Sequence, residues 1–357
     1  MRDTEQTNKS PLAPPLYLGL LVFLLILLGY RLLDFSVNRS DVADYIRWSR
    51  DLASYRSFPS HMPGYPVSLA LARVLTLGWI GDVVLAQGIC LASWWLAAVL
   101  AWRVGKQLAP ETADTGVLLF SLFPFVGVTM AAYPIADAPA YALFLGACLA
   151  ALRRRACAFA LITSLGLLVH QAFYPFYLLL AVWCLLNNRI SLMHFGVSGI
   201  PLVIYYVAIA IAEGNPNWIL EYHRHAHLKA SGALPIFDGI VGTLLRGSAL
   251  GLVKGAFMFL VFVSACALSW HFLRKRNWLM LCFLAPLLVY SIVANQKIGW
   301  ILIRMGKLLV FPFCVWLASQ PRAVQLLRKK SFYIVLAVVL VVSQVAWAAY
   351  IYKYFSR

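Results

Sequence analysis

The sequence predicts an all-α fold, a polytopic bundle of about eleven transmembrane helices with an amphipathic outer-surface helix after the first span. Three observations carry that expectation. Hydrophobic residues make up 62% of the 357 and charged residues only 12%, with a mean hydropathy of +0.79, too little charge to cover a water-soluble globule of this length. Several apolar runs approach or exceed the roughly 18–20 residues that cross a hydrocarbon core as a helix. The runs lack the alternation of a lipid-facing barrel strand, so helices are the building unit.

The chain opens with "MRDTEQTNKSPLAPP" and then "LYLGLLVFLLILLGYRLL". A basic flank, an apolar run and the lack of a small-residue cleavage site read as an uncleaved first span over 16–33 rather than a signal peptide. Further spans are expected over 83–102, 113–130, 139–152, 156–170, 173–187, 191–212, 240–270, 278–294, 300–319 and 332–352, and Pro66 to Ile80 suits a buried or interfacial helix. With a cytoplasmic N-terminus, the basic clusters fall on one side: Arg103/Lys106, "RRR" at 153–155, Arg189, "RKR" at 274–276, and Arg322 to Lys330. That is the positive-inside pattern, which Lys353 and Arg357 mildly breach. A net charge of +17 distributed in this way points to anionic lipid headgroups and away from nucleic acid. The seven cysteines (Cys90, Cys148, Cys157, Cys184, Cys266, Cys282, Cys314) lie in or beside apolar segments without CxxC spacing, so neither a disulfide framework nor a zinc knuckle is implied. With no repeat and no stretch long enough for a soluble domain, 1–357 reads as one membrane domain.

The opposite side receives 34–66, "AAYPIADAP", "HQAFYP", the segment from about Glu213 to Asp238, and "NQKIG". The first of these, the outer loop 34–66, contains "RSDVADYIRWSRDLASYRSFPSHMPGYP". On a helix, Asp41, Asp44, Trp48, Asp51 and Tyr55 share one face, with Val42, Ile46, Ser49 and Ala53 opposite. Prolines 59, 63 and 66 and Gly64 then return the chain to the membrane with His61 and Tyr65 held nearby.

These features resemble a family. Asp41 with Tyr45 after the first span, the turn "HMPGYP", and a second acidic residue before a proline in "YPIADAPAYALFLGACLAALRRR" are similar to the GT-C superfamily of membrane glycosyltransferases. Its members include protein O-mannosyltransferases and lipid A aminoarabinose transferases. The resemblance spans roughly the first 190 residues and, more loosely, the penultimate span, where Arg304 precedes Pro312. It implies a polyprenyl-phosphate-linked sugar donor and a membrane-bound glycan, glycolipid or protein acceptor. It further implies Asp41 as general base and Asp137 as the second-loop carboxylate near the acceptor or a metal. The usual adjacent pair of carboxylates is interrupted by Val42, which leaves Asp44 either sharing the base role or supporting the helix.

Such a transfer needs a base for the acceptor hydroxyl and positive charge for the departing phosphate. Lys297, Arg304 and Lys307 supply cations at the outer end of a span, against the positive-inside trend, and are candidates for the donor phosphate. His170 and Gln171 break a long apolar run and are candidates to line the donor cavity. In "NWILEYHRHAHLKASG", His223 and Arg224 suit phosphate or sugar contacts. No cofactor is demanded, although His223 and His227, four residues apart, admit a divalent metal. The expected location is a bacterial inner membrane with the site on its periplasmic or extracellular face. The competing functions are a polysaccharide polymerase or ligase using lipid-linked glycans, and a lipid-linked sugar transporter or flippase.

Overall fold

The computed structural model of the chain describes residues 41–51, 62–123, 136–215, 217, 237–245, 249–293, 299–327, 329 and, apart from 333 and 337, 331–344. Among the described residues the structure is helical, with no strand. The helices are α1 (Asp41–Arg50), α2 (Gly64–Leu75), α3 (Asp82–Leu108), α4 (Ala113–Ser121), α5 (Asp137–Leu152), α6 (Ala156–Leu167) and α7 (Tyr174–Leu186). They continue with α8 (Leu192–Glu213), α9 (Asp238–Leu245), α10 (Ala249–Arg274), α11 (Trp278–Val293), α12 (Gly299–Gly306), α13 (Val310–Ala318) and α14 (Pro321–Leu327).

Among the described residues, three helices are long and apolar enough to cross a membrane: Asp82–Leu108, Leu192–Ala212 and Gly251–Arg274. Their apolar side chains face outward as well as inward. On α8, Val197, Ile200, Val203, Ile204, Val207 and Ile211 are all exposed, an arrangement that costs a protein dearly in water and nothing in lipid. Inside the bundle, buried aromatic rings such as Phe144, Phe173, Phe176 and Phe283 pack together, and small side chains add close approach, which matters where lipid removes the hydrophobic drive between helices. α3 packs against α5, Ala97, Ala101, Ala140 and Ala147 of the two helices are buried, and Gly146 of α5 faces Leu100 of α3 and Ile162 of α6.

The structure departs from the sequence reading in several places. The expected span 240–270 is two packed helices, α9 and α10. Close approach is allowed by Gly255, where a Cβ would sit 2.5 Å from Leu244 Cγ. The expected span 300–319 is broken by a 3₁₀ step at Lys307–Leu309 between α12 and α13. Pro312 lacks the N–H that Leu308 would need four residues on, so the ladder tightens before it. Within 113–130, α4 ends at Ser121. There the buried Gln344 donates to Leu122 O and Phe123 O at 3.1 and 3.0 Å, satisfying carbonyls that the helix end leaves open. Of the stretch Pro66 to Ile80, expected as a buried or interfacial helix, the part up to Leu75 is helical, within α2, and a turn follows it.

α1 is amphipathic, but its faces are not those expected. Tyr45, Ile46, Trp48 and Ser49 are buried, whereas Arg47 and Arg50 are exposed. Trp48 therefore turns inward, away from the aspartates it was grouped with, since its large ring gains most from contact with protein. Tyr45 meets Tyr65 of α2 edge to face at 4.9 Å.

The start of α2 is set by a close backbone approach. Gly64 N–H donates to Leu168 O at 2.7 Å, and a Cβ on Gly64 would meet that oxygen at 2.7 Å and Val169 Cγ2 at 2.8 Å. Gly64→Ala is expected to destabilise the protein by about 1–3 kcal/mol through overpacking. Thermal unfolding in detergent would register it, and an unchanged melting temperature would contradict the contact.

Candidate functional site

One carboxylate is buried at the start of α5. Asp137 is the first residue of that helix, where the unsatisfied N–H groups favour negative charge, and Pro139 is tolerated within the first turn. Two cationic or polar nitrogens close on it from distant parts of the chain. His170 Nε2 lies 3.1 Å from Oδ1, and Arg304 Nε lies 3.2 Å from Oδ2. Both contacts have ion-pair length, but neither oxygen receives an aligned hydrogen bond among the described residues.

The histidine is oriented by its own loop. Between α6 and α7 the chain turns through extended backbone at His170 and a 3₁₀ turn, Gln171–Phe173. His170 Nδ1 accepts the Ala172 N–H at 3.1 Å, which leaves Nε2 as the protonated nitrogen on the side of Asp137.

The arginine is held through its backbone. Tyr141, one turn along α5 from Asp137, donates its hydroxyl to Arg304 O. The same ring forms an aromatic floor with Phe120 of α4 and Phe173, at centroid distances of 5.7 and 4.9 Å. Over that floor lies the ammonium of buried Lys307, 4.1 Å from the Phe120 centroid and 5.3 Å from that of Tyr141. Asp137 and Lys307 are each 1% exposed, while the side chains of Arg304 and His170 are 23% and 17% exposed. The cluster therefore opens on the arginine and histidine. Arg304 is permanently charged and the partly exposed His170 lies beside it, so the open side of the cluster suits an anion.

The cluster and the basic loops occupy opposite ends of α5. At its C-terminal end Arg189 donates to Ala151 O and Leu152 O, both at 3.0 Å, beside the exposed Arg153 and Arg154. Sixteen helical residues separate the two ends, about 24 Å at the usual rise.

Of the residues expected from sequence, the structure brings together Asp137, His170, Arg304 and Lys307, with Gln171 adjacent in the chain to His170. Asp44 does not join them. It is partly exposed and pairs with Arg47 at 3.1 Å along α1. Tyr65 is buried, with its hydroxyl donating to Ala86 O at 3.2 Å and lying 3.1 Å from Cys90 Sγ, so its polar end is engaged within the helix packing. Asp41 begins α1, but its side chain lies outside the described residues, as do His61, Lys297, His223, Arg224 and His227. Among the described residues no group of three His, Cys, Asp or Glu side chains is placed to hold a metal. Tyr141, Phe120 and Phe173 were not anticipated. The only signal for Tyr141 was its position four residues after Asp137 in "DAPAYAL".

The described structure is thus that of an all-helical protein with apolar membrane-length helices and a buried charge cluster at the start of α5. Comparison with protein families, with curated proteins and with solved structures finds no match to this chain.

Proposed function

We propose that the chain is an inverting membrane glycosyltransferase of the GT-C kind, with about eleven spans. It would move a sugar from a polyprenyl-phosphate-linked donor to a membrane-bound glycan, glycolipid or protein acceptor. The reaction would take place on the periplasmic or extracellular face of a bacterial inner membrane. The observation that supports this reading is the convergence of Asp137, His170, Arg304 and Lys307 at the end of α5 remote from Arg153 and Arg189.

In this reading Asp137 is a positioning residue. It holds Nε of Arg304, and the two terminal amino groups of the guanidinium are turned to the donor phosphate, which they grip through two hydrogen bonds. Lys307 adds positive charge from below. As the acceptor oxygen bonds to the anomeric carbon, the bond from that carbon to the phosphate oxygen breaks, and the negative charge collects beside Arg304 and Lys307. Asp41 takes the acceptor proton, and a single displacement inverts the anomeric centre.

Mass spectrometry of envelope glycolipids and lipid-linked glycans, from cells with the wild type, Asp41→Asn or no copy, tests the proposal. One sugar unit should vanish in both the null strain and Asp41→Asn at equal protein levels. A glycan lost in the null but retained in Asp41→Asn would remove Asp41 from the base role, and no change in either would overturn the function.

A further inference from the structure

At the basic end of the bundle α6 and α8 begin side by side, and three side chains meet there that the transfer reaction does not use. Cys157, the second residue of α6, is exposed, with Sγ 3.5 Å from His194 Nε2. The other ring nitrogen, Nδ1, is 2.7 Å from Ser191 Oγ. Ser191 is the N-cap of α8, and its Oγ also accepts from the backbone N–H of His194 at 3.5 Å. The imidazole is thereby fixed on one edge and presents the other to the thiol. Nucleophile, base and a third group that orients the base form the pattern by which proteins activate a thiol.

Two features of the surroundings indicate what such a thiol would meet. Arg153, Arg154 and Arg155 are exposed in the turn that leads into α6, a cluster suited to the phosphates of a ligand or lipid. Cys157, Leu161 and Leu165 follow one another at four-residue spacing along one side of α6, and the two leucines are 63% and 48% exposed. A chain attached at Cys157 would run from the basic boundary along an apolar stripe.

We propose that Cys157 is an S-acylation site that takes a long-chain acyl group from a phosphate-bearing acyl thioester. Sγ attacks the thioester carbonyl carbon, and the bond from that carbon to the carrier sulfur breaks. His194 receives the cysteine proton and passes it to the departing thiolate, so the products are an S-acyl cysteine and a free carrier thiol, with no change of oxidation state. Ser191 is a positioning residue that keeps Nε2 on the thiol. The arginines hold the carrier's phosphates, and the acyl chain lies along Leu161 and Leu165. This site is independent of the transferase reading.

The test uses the full chain in phosphatidylcholine vesicles, incubated with palmitoyl-coenzyme A and followed by intact-mass and peptide mass spectrometry. Cys266, also exposed but within α10, serves as the internal comparison. The expected result is one acyl addition at Cys157, released by neutral hydroxylamine and absent in Cys157→Ser. It should be unaffected by Cys266→Ser and slowed about 10²-fold in His194→Ala, the low end of what a general base contributes. Equal addition at Cys157 and Cys266, or a rate that His194→Ala leaves unchanged in protein of wild-type melting temperature, would overturn the proposal.

Discussion

Asp137→Ala is expected to abolish sugar transfer and to destabilise the protein by about 3–5 kcal/mol, the usual result of removing one partner from a buried ion pair. The carboxylate lies within 3.2 Å of Arg304 Nε and 3.1 Å of His170 Nε2, and Lys307 is buried on the aromatic floor beside it. Without Asp137 the Arg304 guanidinium loses the carboxylate that its Nε meets, and His170 loses its acidic neighbour. The double variant Asp137→Leu/Arg304→Met should recover part of the lost stability, because an apolar pair removes the arginine charge along with its partner. It should recover none of the activity. Thermal unfolding in detergent, paired with glycolipid mass spectrometry, measures both quantities. A single variant that melts with the wild type would mean that the pair contributes nothing to the fold.

Arg304→Lys separates charge from shape. The lysine keeps the positive charge and loses the planar fork that can hold Asp137 at one edge and a phosphate at the other. The expected loss is one charge-assisted contact to the departing phosphate, about 1.5–3 kcal/mol, or about ten- to two-hundredfold in transfer rate. Stability should change far less than in Asp137→Ala, since a cation remains near the carboxylate. Rate constants for sugar transfer in vesicles, at matched protein levels, decide the matter. Wild-type turnover in Arg304→Lys would leave the guanidinium without a role in the reaction.

The four residues of the cluster were legible in the sequence for one physical reason. A charge or an imidazole inside an apolar run is expensive, so Asp137, His170, Arg304 and Lys307 stand out wherever they fall. Their aromatic support was not legible, because Phe120, Tyr141 and Phe173 look like any other packing residues until the helices are placed. Helix boundaries near prolines could be read only in part. Pro312 announces a weakened ladder, whereas the division between α9 and α10 has no proline behind it. Periodicity also misjudged α1. It ranks side chains by polarity and spacing, and Trp48 went inward on size. Asp44 shows a further limit, since spacing alone could not reveal that it pairs with Arg47 on its own helix.

The long reach of the Tyr141 hydroxyl bears on how this chain is made. Arg304 follows Tyr141 by 163 residues, which at ordinary synthesis rates means a delay of about 8–30 s. During that interval α5 exists while its arginine is still being translated, and an unaccompanied carboxylate resists entry into hydrocarbon. Until α12 is made, Asp137 can meet the His170 ring but not the Arg304 guanidinium that closes on its other oxygen. A chain cut short before residue 304 would therefore hold only the histidine half of the pairing that Asp137 has in the finished protein.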